Sequence, residues 1–141
     1  MIQRVQTIWL FLATTAGFVL TQVPIYVGSL AGVDVRKFSA TENLLMFALA
    51  VVAALIAFIA ILFYRNRGLQ QKLTMTGIFL SIALIAVEVW QIGRFEEANP
   101  TLKGSYYWGA LLPIAMTIFF IMAAVNINKD NKLIKSLDRL R

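Results

Sequence analysis

The sequence lacks two residue types on which most catalytic and metal sites depend, because it contains no cysteine and no histidine. The absence of cysteine excludes disulfides, thiolate metal sites and a cysteine nucleophile. The absence of histidine excludes histidine-ligated haem, the common zinc sites and serine–histidine catalysis. We therefore expect no metal site and no cofactor, and we expect that the protein is not an enzyme.

Charged residues are also scarce. They make up 14% of the chain, whereas apolar residues make up 60%. A soluble domain has about 25% charged and about 45–50% apolar residues, so this chain has too little charge to cover a soluble particle. Lipid is the solvent that suits such a composition. One membrane domain over residues 1–141 is expected, because four spans of about 20 residues and short loops fill this length.

Four apolar segments predict four helices, at about residues 7–28, 42–64, 75–94 and 106–126. Ser39 and Glu42 form an S-x-x-E capping box before the second segment, and Pro113 should bend the fourth. Small residues recur four positions apart in every segment, which lets helices pack closely in lipid. The predicted fold class is all-α: four transmembrane helices in an antiparallel bundle.

The basic residues predict the orientation, because loops that stay in the cytoplasm carry an excess of Lys and Arg. Four basic residues lie on one side of the predicted spans: Arg36, Lys37, Arg94 and Lys103. The other nine lie in the N-terminus, the loop after helix two and the C-terminal tail. Both termini are therefore expected in the cytoplasm, with Tyr26, Tyr106, Tyr107 and Trp108 as aromatic anchors on the outer boundary.

Residues 127–141 predict a short basic amphipathic helix on the cytoplasmic side. Leu133, Ile134, Leu137 and Leu140 share one face of such a helix, and basic residues lie mostly off it. This pattern is typical of a segment that binds an anionic lipid surface or a partner; the alternative is a tail that only sets the topology. The candidate contacts with lipid head groups or a partner are Arg65, Arg67, Lys72, Lys132, Lys135, Arg139 and Arg141.

One acid, Glu88, lies within the third apolar segment, TGIFLSIALIAVEVWQIGR. An acid in a membrane span is costly and indicates function by default. Helix geometry puts Glu88 roughly 9 Å inside the outer boundary, at the depth of Gln91, Gln22 and Thr21. These four residues form a candidate polar cluster. It could serve proton or cation coupling. Alternatively, Glu88 could make an interhelical hydrogen bond, snorkel to the membrane surface or contact another subunit. With no second acid at this depth, catalysis by paired carboxylates is poorly supported.

The ends and the middle loop of the chain resemble a known family. The segments MIQRVQTIWLFLA, YRNRGLQQKL and NKDNKLIKSLDRLR are similar to the small Bacteroidota membrane family called domain of unknown function 4293. The resemblance covers the whole chain. It implies a four-helix protein of the inner membrane, and it implies no activity and no catalytic residue.

These observations together predict a non-enzymatic accessory, assembly or scaffold subunit of a larger inner-membrane complex. Its expected partners are membrane lipids and other membrane protein subunits, not nucleic acid. The alternative is a small transporter or channel subunit that uses Glu88. A third reading is an enzyme whose chemistry lies in a partner chain.

Overall fold

The computed structural model describes residues 3–30, 34–100 and 103–138, and it is 80% helical. Its four helices are α1 (Gln3–Leu20), α2 (Leu44–Leu62), α3 (Arg67–Ala98) and α4 (Leu112–Asp138). Its three strands are β1 (Pro24–Leu30), β2 (Asp34–Ser39) and β3 (Lys103–Tyr106). Short 3₁₀ helices precede α2 (Ala40–Glu42) and α4 (Trp108–Leu111).

Each helix packs against two others: α1 and α3 both contact α2 and α4. The packed face of α2 consists mainly of alanines, since its buried side chains are Met46, Ala50, Ala53, Ala54, Ala57 and Ala60. The large apolar residues of α2, such as Leu55, Phe58 and Leu62, are exposed instead. Helix α2 is therefore packed mainly through small side chains and presents an apolar exterior.

Helix α2 has nearly the predicted bounds, but its start differs in mechanism. The side chain of Asn43 caps α2 by accepting a hydrogen bond from the backbone N–H of Met46 at 3.1 Å. Ser39 makes no such cap; its hydroxyl bonds that of Thr41 at 2.9 Å. The S-x-x-E motif therefore lies at the short 3₁₀ helix, and the asparagine after it begins α2.

Helix α3 runs beyond its predicted segment at both ends, whereas α4 begins six residues later than predicted, at Leu112, and ends later, at Asp138. Asn66 caps α3 through the N–H of Leu69, and α3 then continues for 32 residues to Ala98. Residues 127–138, predicted to be a separate tail helix, continue α4 without a break. Pro113 does not bend α4, because it lies in the first turn, where a missing N–H costs nothing.

Helix α1 ends eight residues earlier than predicted, and a sheet takes up the difference. Pro24 has no N–H and its ring would clash with the carbonyl of Leu20, so the helix cannot continue through it. The chain turns at Thr21 and Gln22 and enters β1. The all-α prediction therefore holds for the helices but missed a three-stranded sheet.

The sheet has the order β2-β1-β3, and both pairings are antiparallel. Tyr26 in the central strand lies opposite Phe38 of β2 and Tyr106 of β3. The strands come from two separate loops, one between α1 and α2 and one between α3 and α4. The sheet therefore joins these loops at the end of the helices where α1 and α3 finish, which we call the sheet end.

Three helical segments are long and apolar enough to cross a membrane among the described residues: Leu44–Leu62, Arg67–Ala98 and Trp108–Leu133. A shorter apolar helix covers Val5–Leu20. The single-domain organisation of residues 1–141 stays a prediction.

Candidate functional site

Glu88 lies on the buried face of α3. The buried residues of this helix follow one stripe with helical spacing, and they are Gln70, Thr74, Gly77, Ser81, Leu84, Glu88 and Ile92. Glu88 takes the next position of the stripe after Leu84, so helical periodicity alone turns it inward. Only 5% of its surface is exposed.

A cavity of about 440 Å³ opens beside Glu88. Its walls come from α3, from the end of β3 with the following 3₁₀ helix, and from the start of α4. The lining residues are Ile85, Glu88, Val89, Tyr106, Tyr107, Trp108, Ala110, Leu111 and Ile114. Glu88 is the one acidic or basic side chain among them, so this Glu88 cavity combines a carboxyl group with aromatic and aliphatic walls.

The carboxyl group of Glu88 has no hydrogen bond or ion pair with another residue in the described part of the chain. The nearest basic residue along α3 is Arg94, and its guanidinium lies over the ring of Trp90 at 5.3 Å. Trp90 is an exposed residue, so Arg94 is directed to the outside of the helix. Within the described residues, the protein therefore supplies no counter-charge to Glu88.

The other members of the predicted polar cluster make no hydrogen bond with Glu88 among the described residues. Gln22 donates a hydrogen bond to the Thr21 hydroxyl at 3.2 Å, and Thr21 donates to the carbonyl of Phe18 at 2.7 Å. Gln91 is half-buried on α3. No hydrogen bond among the described residues joins Glu88 to Thr21, Gln22 or Gln91, so the cluster stays a prediction based on depth.

Sequence reasoning missed the role of the aromatic residues at the end of β3 and between β3 and α4. Tyr106, Tyr107 and Trp108 are predicted above as boundary anchors, but they line the Glu88 cavity. The rings of Tyr107 and Trp108 are 6.3 Å apart, and Tyr106 packs edge-on against Tyr26 at 5.6 Å. The sequence signal for these residues is the run of three aromatics in SYYW. This run does not show that the aromatic side chains line a cavity together with Glu88.

The sheet is tied to α3 by a bond that the sequence did not indicate. The phenol of Tyr26 donates a hydrogen bond to Oε1 of Glu96 at 2.7 Å. This bond requires the protonated phenol, and it raises the pKa of Tyr26 to about 12, with burial and the negative charge of Glu96 as lesser causes. The ring also packs against Phe95 at 6.0 Å. Tyr26 is thus a structural link between β1 and α3.

A second set of polar contacts joins α3 and α4 at the opposite end of the helices. The side-chain amide of Gln71 donates to Oδ1 of Asn128 at 2.6 Å, and its carbonyl accepts from Asn131 at 3.2 Å. One α3 side chain therefore holds two successive turns of α4. We call this set the Gln71 bridge.

Asp130 lies between these two asparagines in sequence and is only 6% exposed. The sequence analysis assigned residues 127–141 to a separate basic amphipathic helix and did not single out Asp130. The signal that could have found it is the buried stripe of α4, which runs from the apolar segment into that tail as Met116, Phe120, Ala123, Ile127 and Asp130. Helical spacing alone therefore extends the packed region to Asp130.

Buried amides accompany the Gln71 bridge at this end. Gln70 donates to the carbonyl of Ala60 at 3.1 Å. The side-chain carbonyls of Gln6 and Gln70 and the indole N–H of Trp9 are buried without a hydrogen-bond partner among the described residues. This end of the helices is therefore polar inside, unlike the alanine-packed middle.

The predicted basic contacts are found in the following places. Arg65, Lys72 and Lys132 are exposed and Arg67 is half-buried. Lys135 belongs to α4, but its side chain lies outside the described part, as do Arg139 and Arg141. Of the exposed members, Arg65 precedes α3, Lys72 follows Gln71 in α3, and Lys132 follows Asn131 in α4.

No group of three or more Asp or Glu side chains in residues 3–30, 34–100 and 103–138 is arranged to hold a metal ion. Residues 2–140 match the model of a family described as domain of unknown function DUF4293. None of the curated proteins compared with the chain matches it. The family match covers nearly the whole chain, as the sequence resemblance implied.

Proposed function

The chain belongs to the DUF4293 family, and we propose that it is a non-enzymatic accessory, assembly or scaffold subunit of a larger inner-membrane complex. Its four helices cross the membrane as an antiparallel bundle, and both termini lie in the cytoplasm. The sheet end then lies on the outer side, and the Gln71 bridge lies on the cytoplasmic side.

The residue distribution of α2 supports the membrane location. In water, a helix would bury its leucines and phenylalanines and expose its alanines, because burial of large apolar surface drives folding. Helix α2 does the reverse, with five buried alanines and exposed Leu55, Phe58 and Leu62. Lipid removes the cost of exposed apolar side chains and leaves close packing as the main source of helix association.

Helix α1 is the shortest proposed span. Its 18 residues give a length of about 27 Å, which is close to the hydrocarbon thickness of about 30 Å. In the sheet that follows α1, strand pairing satisfies backbone N–H and C=O groups, which lowers the cost of placing this backbone close to the hydrocarbon region.

The observation that carries the subunit role is the Gln71 bridge. Helix α3 has 32 residues and a length of about 48 Å, far more than one membrane crossing needs. The first turns of α3 and the end of α4 form a hydrogen-bonded helix pair beyond the proposed membrane crossing. Lys72 and Lys132 are exposed on this pair. A rigid basic helix pair of this kind suits docking against an acidic surface of a partner subunit or anionic head groups.

Extraction from native membranes in a mild detergent tests the proposal. We expect the chain to migrate as a complex with at least one other membrane protein in fixed stoichiometry. The complex should weaken when Lys72 and Lys132 are both replaced by Glu. The matched control is Arg94→Glu at the sheet end, which should leave the complex intact. A strictly monomeric chain with no stoichiometric partner would contradict the proposal.

A second candidate function is a small transporter or channel subunit. The observation that favours it is the unpaired Glu88 carboxyl group at the wall of a cavity. Glu88→Gln should abolish proton-coupled flux in proteoliposomes if this function is correct, whereas Glu97→Gln, which changes an exposed acid of α3, should not. Flux that is equal in both variants would exclude it.

A further inference from the structure

We propose that the Glu88 cavity binds an amphiphilic amine, with its ammonium group against the Glu88 carboxylate and its alkyl chain along the aliphatic wall. This binding site is distinct from the docking surface at the Gln71 bridge. It needs no partner subunit, so it can stand or fall separately from the proposed subunit role.

The cationic head group follows from the state of Glu88. A carboxylate removed from water is unfavourable unless a counter-charge or hydrogen bonds compensate it. The described residues give Glu88 neither, although 95% of its surface is covered. A ligand ammonium supplies both the charge and N–H donors that the protein does not provide.

The aromatic lining favours a cation over a neutral donor such as an alcohol. Tyr106, Tyr107 and Trp108 surround the same cavity as Glu88. Ring faces attract ammonium groups electrostatically, and the attraction is larger where water is excluded. The one acid and three aromatic rings therefore favour the same ligand charge.

The alkyl chain follows from the remaining walls. Ile85, Val89, Ala110, Leu111 and Ile114 line the rest of the cavity and offer no charge. The volume of about 440 Å³ lies in the range of about 300–1,000 Å³ that is common for small-ligand sites. Val89, Tyr106 and Leu111 are also exposed, so the cavity opens sideways and a chain longer than the cavity can extend outward.

Photolabelling tests the proposal on the full chain, purified in a neutral maltoside detergent. The probe is an alkylammonium with a photoreactive diazirine near its head group, and the comparison probe is the neutral alcohol of equal chain length. Labelled peptides are mapped by mass spectrometry. We expect the ammonium probe to label residues 85–89 and 106–114, and we expect the alcohol to label them about tenfold less, as the loss of one charge pair implies.

Three variants distinguish the contribution of the Glu88 carboxylate to labelling from a general effect on folding. Glu88→Gln keeps the size of the side chain and should reduce ammonium labelling to the level of the alcohol. Glu97→Gln should leave the labelling unchanged. Trp108→Leu should reduce it without altering any acid. Equal labelling by both probes, or wild-type labelling of Glu88→Gln, would overturn the proposal.

A competition experiment distinguishes a free amine from a lipid head group as the natural ligand. A primary ammonium group occurs both in free alkylamines and in the ethanolamine head group of a phospholipid, where phosphate and glycerol join it to the acyl chains. Phosphatidylethanolamine added to the micelles should suppress the labelling if the lipid is the occupant. Labelling that persists at a saturating level of this lipid identifies the free amine.

Discussion

The phenolic oxygen of Tyr26 lies 2.7 Å from Oε1 of Glu96, and this bond joins the central strand of the sheet to the last turn of α3. Phe38 of β2 strengthens the junction, since its ring lies 5.3 Å from that of Phe95 on the same turn. The sheet is therefore not a loose connection between helices. The sheet fixes the α1–α2 and α3–α4 loops against α3. Its strand β3 ends at Tyr106, which lines the Glu88 cavity.

Tyr26→Phe should lower the free energy of unfolding by about 1 kcal/mol, because it removes one hydrogen bond and keeps the ring contacts. Thermal unfolding in detergent, followed by circular dichroism, measures the change. Tyr64→Phe is the matched control, because Tyr64 is exposed and should tolerate the loss. An equal change in both variants would show that the Glu96 bond does not stabilise the fold.

The same bond predicts a pH dependence at high pH. The pKa of a tyrosine is about 10 in the unfolded chain and about 12 for Tyr26 in the folded protein. The folded state therefore holds the proton more tightly. The stabilising contribution of Tyr26 is complete below a pH of about 10 and is lost as the pH rises to about 12.

Tyrosinate absorbance measures this titration directly. The wild-type protein should show a tyrosine ionisation step near pH 12, and Tyr26→Phe should remove that step. A wild-type curve without this step would contradict the assignment.

Two glycines of α3 give a matched pair of packing variants. A Cβ at Gly77 would overlap the ring of Phe120 on α4, whereas a Cβ at Gly93 would meet nothing within 4 Å. Gly77→Ala should therefore destabilise the protein by about 1–3 kcal/mol. Gly93→Ala should be neutral or stabilise it by up to about 1 kcal/mol.

Combining Gly77→Ala with Phe120→Leu provides the control for this packing argument. The smaller side chain leaves room for the added methyl group, so the double variant should be more stable than the sum of the single changes predicts. Strict additivity in detergent unfolding would mean that Gly77 and Phe120 are not in contact.

Gln71→Ala should loosen the C-terminal part of α4. The change removes both hydrogen bonds to Asn128 and Asn131. Backbone amides of residues 126–138 should then exchange with deuterium up to about tenfold faster, since local opening becomes easier. Gln22→Ala is the control, because the Gln22 amide bonds only its neighbour Thr21. Unchanged exchange in Gln71→Ala would remove the evidence for a rigid helix pair.

The central part of the fold could be predicted from the sequence because its signals are local. The apolar run of residues 44–62 has no charged residue, so hydrophobicity alone gave α2 to within two residues at each end. The inward position of Glu88 also follows from helical spacing along α3. A depth estimate places residues along a helix axis but not around it, so the grouping of Glu88 with Thr21 and Gln22 stays a prediction.

The sheet could not be predicted in this way, because its pairings join residues far apart in sequence. Tyr26 pairs with Tyr106, and neither flanking segment alternates strongly enough to indicate a strand. The tail was predicted as a separate helix because its charges end the apolar run. Those charges obscured the inward stripe that continues through Ile127 to Asp130, so α4 continues where a break was expected.

Site-specific photocrosslinking in living cells tests the subunit proposal most directly. A benzophenone amino acid is placed at Lys132, on the exposed end of α4, and for comparison at Phe79, which is 73% exposed on the apolar exterior of α3. If the protein docks through the Gln71 bridge, the probe at Lys132 should give a discrete adduct with one partner protein, and the probe at Phe79 should give none. Adding Gln71→Ala should abolish the Lys132 adduct. No protein adduct from Lys132, or an adduct that Gln71→Ala leaves unchanged, would contradict the subunit proposal.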